Sequence, residues 1–248
     1  MFQSLLFPAR CPACGYVHRM DEKGFCRACS KKLIYAKEPV CRVCGKPLHE
    51  TEEYCKNCRG SSHYFEQNKS WLVFEGPAKT AMYHFKYDNA RWIGPILAEG
   101  MVQTHGRWIA MRKPEAIIPV PIHRAKARER GHNQAMGIAK AMSTCLRKAA
   151  SYSIPVVPVV RRTRYTPPQK ELSAAIRRKN MKKAFKLDQS VVKSGSIYVN
   201  RGSALFSAIL LVDDIYTTGA TLDAISEMLL AGRIADRVYT MTAVVGRG

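Results

Sequence analysis

Acidic residues are scarce in this sequence: 19 Asp and Glu stand against 40 Lys and Arg over 248 residues, a formal charge of +21. That imbalance attracts polyanions such as phosphates, nucleic acid or an anionic membrane surface, or else forms a solvated basic face that only aids solubility. Long apolar runs are also missing, and none reaches the ~18–20 residues of a membrane span. The opening MFQSLLFPAR has no basic leader, so a cleaved signal peptide is not expected and the chain is read as cytoplasmic, without membrane insertion. No GxxxxGK followed by Ser or Thr occurs, which excludes a P-loop. Nor is there a convincing Ser/His/Asp or Cys/His grouping that would mark a protein nucleophile. Apolar material is not lacking: 46% hydrophobic residues exclude a wholly disordered polymer. The length fits one large domain, or one large and one small.

Cysteine is abundant but confined. Eight of the nine cysteines form four CxxC pairs, Cys11/Cys14, Cys26/Cys29, Cys41/Cys44 and Cys55/Cys58. In a reducing compartment, pairs of this kind read as metal ligands rather than disulfides. The two halves, CPACG to FCRAC and CRVCG to YCKNC, are near-repeats with gaps of eleven and ten residues between their pairs. Each gap suits a short hairpin that brings two knuckles to one tetrahedral zinc ion. The simplest assignment is Cys11, Cys14, Cys26 and Cys29 on one zinc and Cys41, Cys44, Cys55 and Cys58 on a second. An interleaved pairing, or one occupied site beside a degenerate one, stays open. Closed four-cysteine sites are structural, and a module this short should take its folding energy from the metal. On that basis metal removal is expected to unfold residues 1–63 and spare much of the rest. Cys145 stands apart and reads as an ordinary apolar residue. His18, His49 and His63 read as ordinary surface histidines.

The positive charge is concentrated. Residues 122–187 carry +15, against +5 for 1–63, +2 for 64–121 and −1 for 188–248. Beyond residue 63, short apolar runs at 71–74, 116–120, 156–160, 209–213 and 239–245 read as buried strands. Helix patterns at about 77–87, 93–105, 133–149, 173–183 and 219–231 alternate with them. Alternation of this kind predicts a parallel sheet with helices on both faces. The basic stretch 161–180 breaks the alternation, and 190–206 reads as a hairpin-like insertion or loose connection. The expected domains are therefore 1–63 and 64–248.

The run ILLVDDIYTTGATLD at 209–223 carries the chemistry. An apolar strand ends in Asp213 and Asp214, followed by the small-residue turn Thr217, Thr218, Gly219, Ala220 and Thr221, and then a helix. At the carboxyl end of a parallel strand, such a turn offers free backbone amides and hydroxyls to an anion. The element resembles the phosphoribosyl-pyrophosphate (PRPP) motif of type I phosphoribosyltransferases. The resemblance implies that Asp213 and Asp214 hold the ribose hydroxyls with magnesium nearby, while Thr217 to Thr221 cradle the 5-phosphate.

The similarity extends along the chain. The cysteine module, HFKYDN (84–89), IIPVPIHRAKARERGHNQA (117–135), RTRYTPPQKELSAAIRRKNMKKAF (162–185) and LLVDDIYTTGAT together resemble the ComF family of competence-associated double-zinc-ribbon proteins. Arg128, Arg130, Gly131, Asn133, Gln134 and Ala135 match that family's RxRGxNQA portion, with His132 at its free position. The implied fold is α/β: a type I phosphoribosyltransferase-like parallel sheet with helices on both faces, preceded by a small N-terminal double zinc-ribbon module. The implied activity is PRPP and magnesium binding in natural competence and DNA uptake, with phosphoribose passed to an unspecified acceptor. Candidate catalytic groups are then Asp213, Asp214 and Arg124, the last chosen from Arg124, Lys126, Arg128 and Arg130 because it lies nearest the strand end. Lys86 and Tyr87 read equally as site members or helix surface, and His132 reads as a local hydrogen-bonding residue. Two rival readings remain: a non-catalytic single-stranded DNA-binding component of the transformation machinery, and a PRPP-sensing regulator. The candidate nucleic-acid contacts are Arg128, Arg130, Arg177, Arg178, Lys182 and Lys183, with Tyr152 and Tyr165 as possible stacking rings.

Overall fold

The computed structural model of the chain describes residues 10–17, 24–150, 153–164, 184–193 and 204–247. Four parallel strands make the main sheet: β1 (Asn68–Val73), β2 (Ala116–Pro119), β5 (Ile209–Tyr216) and β6 (Val238–Val245), in the order β1-β6-β5-β2. A separate antiparallel ribbon pairs β3 (Val160–Arg162) with β4 (Phe185–Leu187). The helices are α1 (Arg27–Ser30), α2 (Gly76–Tyr87), α3 (Ile93–Arg112), α4 (Arg124–Arg130), α5 (Gln134–Ala150), α6 (Gln189–Lys193) and α7 (Ala220–Ala231).

β6 is buried at every position, as a central parallel strand covered on both faces must be. The two faces build two cores. Residues of α2, α3 and α5 pack with Ile117, Leu210, Val212, Met241 and Val244 on one side. Residues of α7 and the β3–β4 ribbon pack with Ile118, Ile209, Leu211, Val238 and Val245 on the other. The expected fold class therefore holds, and the N-terminal cysteine segments are part of both cores. Cys11, Cys26, Phe25 and Leu33 belong to the first cluster. Cys41, Cys44, Cys55, Cys58 and Phe65 belong to the second.

β1 is the edge strand the cysteine segments protect. Ala36 N donates to Trp71 O at 3.0 Å, Val73 N to Ile34 O at 2.8 Å and Asn68 N to Val43 O at 2.7 Å. An uncovered edge would present these groups to any passing strand. Asn68 is fully buried and satisfied: its Nδ2 donates to Cys44 O at 2.9 Å and to Ser70 Oγ, and its Oδ1 accepts from Thr240 Oγ1. Gly45 sits at φ +71 against this strand, where a Cβ would come within 2.9 Å of Asn68 O. Both the knuckle's turn and the close approach require glycine there.

Three sequence expectations change. The run 156–160 is not a full sheet strand, because Pro155 and Pro158 have no N–H to donate. Only Val156 bridges to Ile117, flanked by bonds Ile117 N to Pro155 O and Val157 N to Ile117 O, both 2.8 Å, and Val160 opens β3 instead. The helix expected to end at 105 continues to Arg112. The segment 190–206, expected as a hairpin-like insertion or loose connection, begins in the short helix α6 and ends in a parallel bridge from Phe206 to Ala235, with 194–203 outside the described residues. The helix expected at 173–183 lies outside the described residues. No helix among the described residues is long and apolar enough to cross a membrane.

Candidate functional site

β2 stops at Pro119, level with Val212, while β5 runs on to Tyr216 beside β6. The missing neighbour leaves a crevice at the carboxyl end of the sheet, where open α/β proteins place their ligands. Asp213 and Asp214 lie in this overhang, inside the strand rather than at its last residue. They border a cleft of about 120 Å³ lined also by Lys86, Lys126, Arg130, Arg162 and Thr221. Lys86 reaches from α2 to within 2.8 Å of Asp214 Oδ2. Asp213 accepts the Asp214 amide at 2.8 Å. Its carboxyl is pushed up to about 7, first by loss of water and then by the Asp214 charge, against the pull of Lys86 and Arg162. Two carboxylates this close repel, and a ligand diol or a cation would relieve that repulsion.

The turn after β5 meets the cleft at Thr221; Thr217, Thr218, Gly219 and Ala220 are not among its lining residues. Gly219 caps α7 at φ +77, and no side chain caps the helix, so its first amides are available to an anion. Thr217 is exposed and Thr218 half-buried. A Cβ on Gly219 would strike the Tyr216 hydroxyl at 2.3 Å. Tyr216 is buried at 2% exposure and packs edge-on against Phe65 at 6.3 Å. Burial, and then the Cys44, Cys58 and Cys55 thiols, hold its phenol above the ordinary value.

Helical spacing sorts the basic residues of α4. Lys126 and Arg130, one turn apart, line the cleft; Arg124 and Arg128 are not among its lining residues. Burial, then the Arg130 and Arg162 charges, push the Lys126 ammonium below its ordinary value. The residues after α4 shape the wall. Asn133 Nδ2 donates to Val120 O at 3.1 Å, and Gln134 Nε2 donates to Phe85 O at 3.2 Å. His132 Nδ1 bonds Arg130 O at 3.0 Å, and burial pushes its imidazole below the ordinary value. Beside the cleft, Arg130 lies 5.5 Å from the Tyr87 ring, which contacts Tyr83 at 4.9 Å. These two tyrosines are 53% and 60% exposed.

The cysteines form two separate quartets, Cys11/Cys14/Cys26/Cys29 and Cys41/Cys44/Cys55/Cys58, with the four sulfurs of each within 4.8 Å of one another. The pairing is sequential. Gly15 and Gly45 both take positive φ, and their amides bond back to Cys11 O and Cys41 O at 3.0 and 2.9 Å. Cys26 Sγ caps α1 by accepting from Cys29 N at 3.3 Å. The donor sets fit zinc on electrostatic grounds. The Cys41 thiol is held far below its ordinary value by bonds from Cys44 and Cys58, while the Cys41 side chain pushes Cys44 and Cys58 upward. Such a quartet cannot ionise fully unaided, and a divalent cation removes that obstacle.

Residues 2–59 match the family model of the double zinc ribbon domain. The Competence protein F of Haemophilus influenzae is 33% identical over 234 residues, covering 90% of this chain and 91% of that one. The chain belongs to the ComF family. Other similar proteins are the DNA utilization protein YhgH of Escherichia coli K12, 25% identical over 96% of this chain and 98% of that one, and the Competence protein ComFC of Bacillus subtilis, 25% identical over 92% and 87%. Among solved structures, adenine phosphoribosyltransferase from Saccharomyces cerevisiae matches with TM-score 0.36 and 14% identity, covering 64% of this chain and 72% of that one. A likeness this loose supports no functional argument.

Within this ComF protein, the structure brings together Asp213, Asp214, Thr221 and Arg130, along with Lys86, Lys126 and the Asn133, Gln134 and Ala135 of the matched RxRGxNQA portion. Arg124 and Arg128 stand outside the cleft. Arg177, Arg178, Lys182 and Lys183, and also Tyr152 and Tyr165, lie outside the described residues. Sequence reasoning missed Arg162 and passed over Lys126. The i, i+4 spacing of Lys126 and Arg130 was the available signal, but it could not say which face of α4 meets the cleft.

Proposed function

We propose that this ComF protein binds PRPP with magnesium in the cleft at the end of β5 and acts in the cytoplasm in natural competence and DNA uptake; its relatives are named for competence and for DNA utilization. The observation that carries the reading is one small cleft holding adjacent carboxylates, an uncapped helix start and four basic side chains. The carboxylates suit the ribose diol, with Asp213 and Asp214 as the groups to hold magnesium. The turn 217–221 suits the 5-phosphate, and Lys86, Lys126, Arg130 and Arg162 suit the diphosphate. Bound magnesium would supply neutralising charge to the phosphates. The same arrangement supports phosphoribosyl transfer: the bond from the anomeric carbon to diphosphate breaks, and an acceptor's electron pair forms the new one. Charge stabilisation and positioning suffice for that step. The two cysteine quartets serve as structural zinc sites, and the division into 1–63 and 64–248 is one of chemistry. The test is the Asp213→Asn/Asp214→Asn protein, expected to bind PRPP at least ~2 kcal/mol more weakly with its zinc content unchanged. Equal affinity in parent and variant would end the assignment.

A second reading, single-stranded DNA binding, draws support from the exposed Tyr83–Tyr87 pair beside Arg130. Bases stack on such rings while cations track the backbone. If the 122–187 segment contributes, removing charge at Arg177, Arg178, Lys182 and Lys183 should flatten the salt dependence by ~0.7 log units for each phosphate no longer neutralised. An unchanged slope would remove those four residues from the interface.

A further inference from the structure

The second cysteine quartet and the 217–221 turn share a wall. Phe65 is buried at 2% exposure in one cluster with Cys41, Cys44, Cys55 and Cys58. Its ring meets Tyr216, whose hydroxyl fills the space beside the Gly219 Cα. One residue earlier, Tyr64 N donates to Asp223 Oδ1 at 2.8 Å, and His63 Nδ1 lies 3.4 Å from the same oxygen. Asp223 is one helical turn beyond Gly219, and its amide donates to Gly219 O at 2.8 Å. The segment 63–65 therefore braces both sides of the turn: the strand residue before it, and the first turn of the helix after it. The cluster that holds the first quartet includes no residue of the 217–221 turn, whereas the second quartet's cluster includes Ala220. The first quartet packs on the opposite face, where Phe25 meets Trp71 at 6.2 Å.

We propose that Phe65, Tyr216 and the Tyr64–Asp223 bond are positioning elements through which the second zinc ribbon, and not the first, sets the shape of the 217–221 turn. Two anchors flank the wall: Cys58, in the second quartet, lies seven residues before Phe65, and Tyr216 is the last residue of β5. A turn held from both sides keeps its amides converged on an anion without spending binding energy on ordering them. The bearing of this on affinity rests on the PRPP reading; the structural coupling does not.

The experiment uses the full-length, zinc-loaded chain and two matched substitutions, Phe65→Leu and Phe25→Leu. Both shorten a buried ring beside a cysteine quartet, so both should lower thermal stability. Amide hydrogen exchange without any ligand is the first readout. Phe65→Leu should speed exchange of the Asp223 amide, which is hydrogen-bonded to Gly219 O, by about tenfold, whereas Phe25→Leu should leave it near the parent rate. Calorimetric titration with PRPP and magnesium is the second. Phe65→Leu should weaken binding by about tenfold, or ~1.4 kcal/mol, with both zinc ions retained, and Phe25→Leu should bind as the parent does. If the two variants accelerate the Asp223 amide alike, or neither does, the proposal is overturned. If exchange separates them but the parent binds no PRPP, the coupling stands and the ligand reading alone fails.

Discussion

The two cysteine ribbons are near-repeats in sequence, yet they end on opposite faces of one sheet. In the first, Cys14 is exposed and Cys29 half-buried, and the neighbours are Phe25, Trp71 and the helices α2 and α3. In the second, all four cysteines are buried, and the neighbours are Phe65, Tyr216 and α7. Local sequence sets the knuckle, whereas the surface that receives it sets its burial and reach. Between the ribbons, the segment 34–36 bonds along the free edge of β1, so the pair grips the sheet from both sides.

Breaking one ribbon at a time should separate them. Cys44→Ser removes a sulfur from a fully buried quartet and is expected to cost at least ~3 kcal/mol, about 6–12 °C in Tm, with zinc falling from two ions to one. Cys14→Ser opens the solvent-facing site and should lose less, as calorimetry with metal analysis will show. A chelator should destabilise the sheet as well, where the sequence-based expectation was that residues 1–63 would unfold and much of the rest be spared, because cysteines of both quartets lie in the sheet's own cores. Loss of the ribbon with an intact sheet transition would break that comparison.

The next effect is electrostatic and belongs to the cleft side. With the Asp213 carboxyl raised to about 7 from ~3.9 in the unfolded chain, the folded protein binds an extra proton between those values. Stability from this group is therefore present at low pH and lost as pH rises through that window. Asp213→Asn should remove the penalty and gain on the order of 2 kcal/mol at pH 8, less than the full shift because the residue is only half-buried beside an open cleft. At pH 4 it should gain nothing. The same proton must leave before the carboxylate can serve magnesium, so PRPP affinity should climb between pH 6 and 8. A pH-independent difference between parent and variant would contradict the raised value.

Much of this was legible in the sequence, for reasons that are local. CxxC pairs name their ligands, and an apolar run followed by Asp-Asp and TTGAT marks a strand, a turn and a helix start within fifteen residues. What was not legible depends on contacts between distant segments. Lys86 meets Asp214 across 128 positions, and no periodicity forecasts that pair. The α4 pattern gives two cationic faces, and that Lys126 and Arg130 line the cleft depends on tertiary contacts such as Asn133 Nδ2 to Val120 O and Gln134 Nε2 to Phe85 O. Pro155 and Pro158 carried a readable warning against a full strand at 156–160, and the apolar run outweighed it.

Smaller effects sharpen the contrast between the cleft and the surface around it. Tyr87→Ala should cost about 1 kcal/mol of single-stranded DNA affinity if bases stack on the exposed pair, and titration at fixed salt will register it. Smallest of all, Arg124→Ala should change PRPP affinity by less than ~0.5 kcal/mol, as expected of a surface residue, whereas Lys126→Ala should cost at least ~1 kcal/mol. The reverse order would put the cleft on the other face of α4.

The most direct test of PRPP binding at the end of β5 is a calorimetric titration of the zinc-loaded chain with PRPP and magnesium, repeated in the presence of single-stranded DNA. One saturable site per chain is expected, which requires magnesium and persists when DNA is added. No binding to PRPP by a protein that carries two zinc ions and binds DNA normally would contradict it, and would leave the cleft as a fold inherited without its ligand.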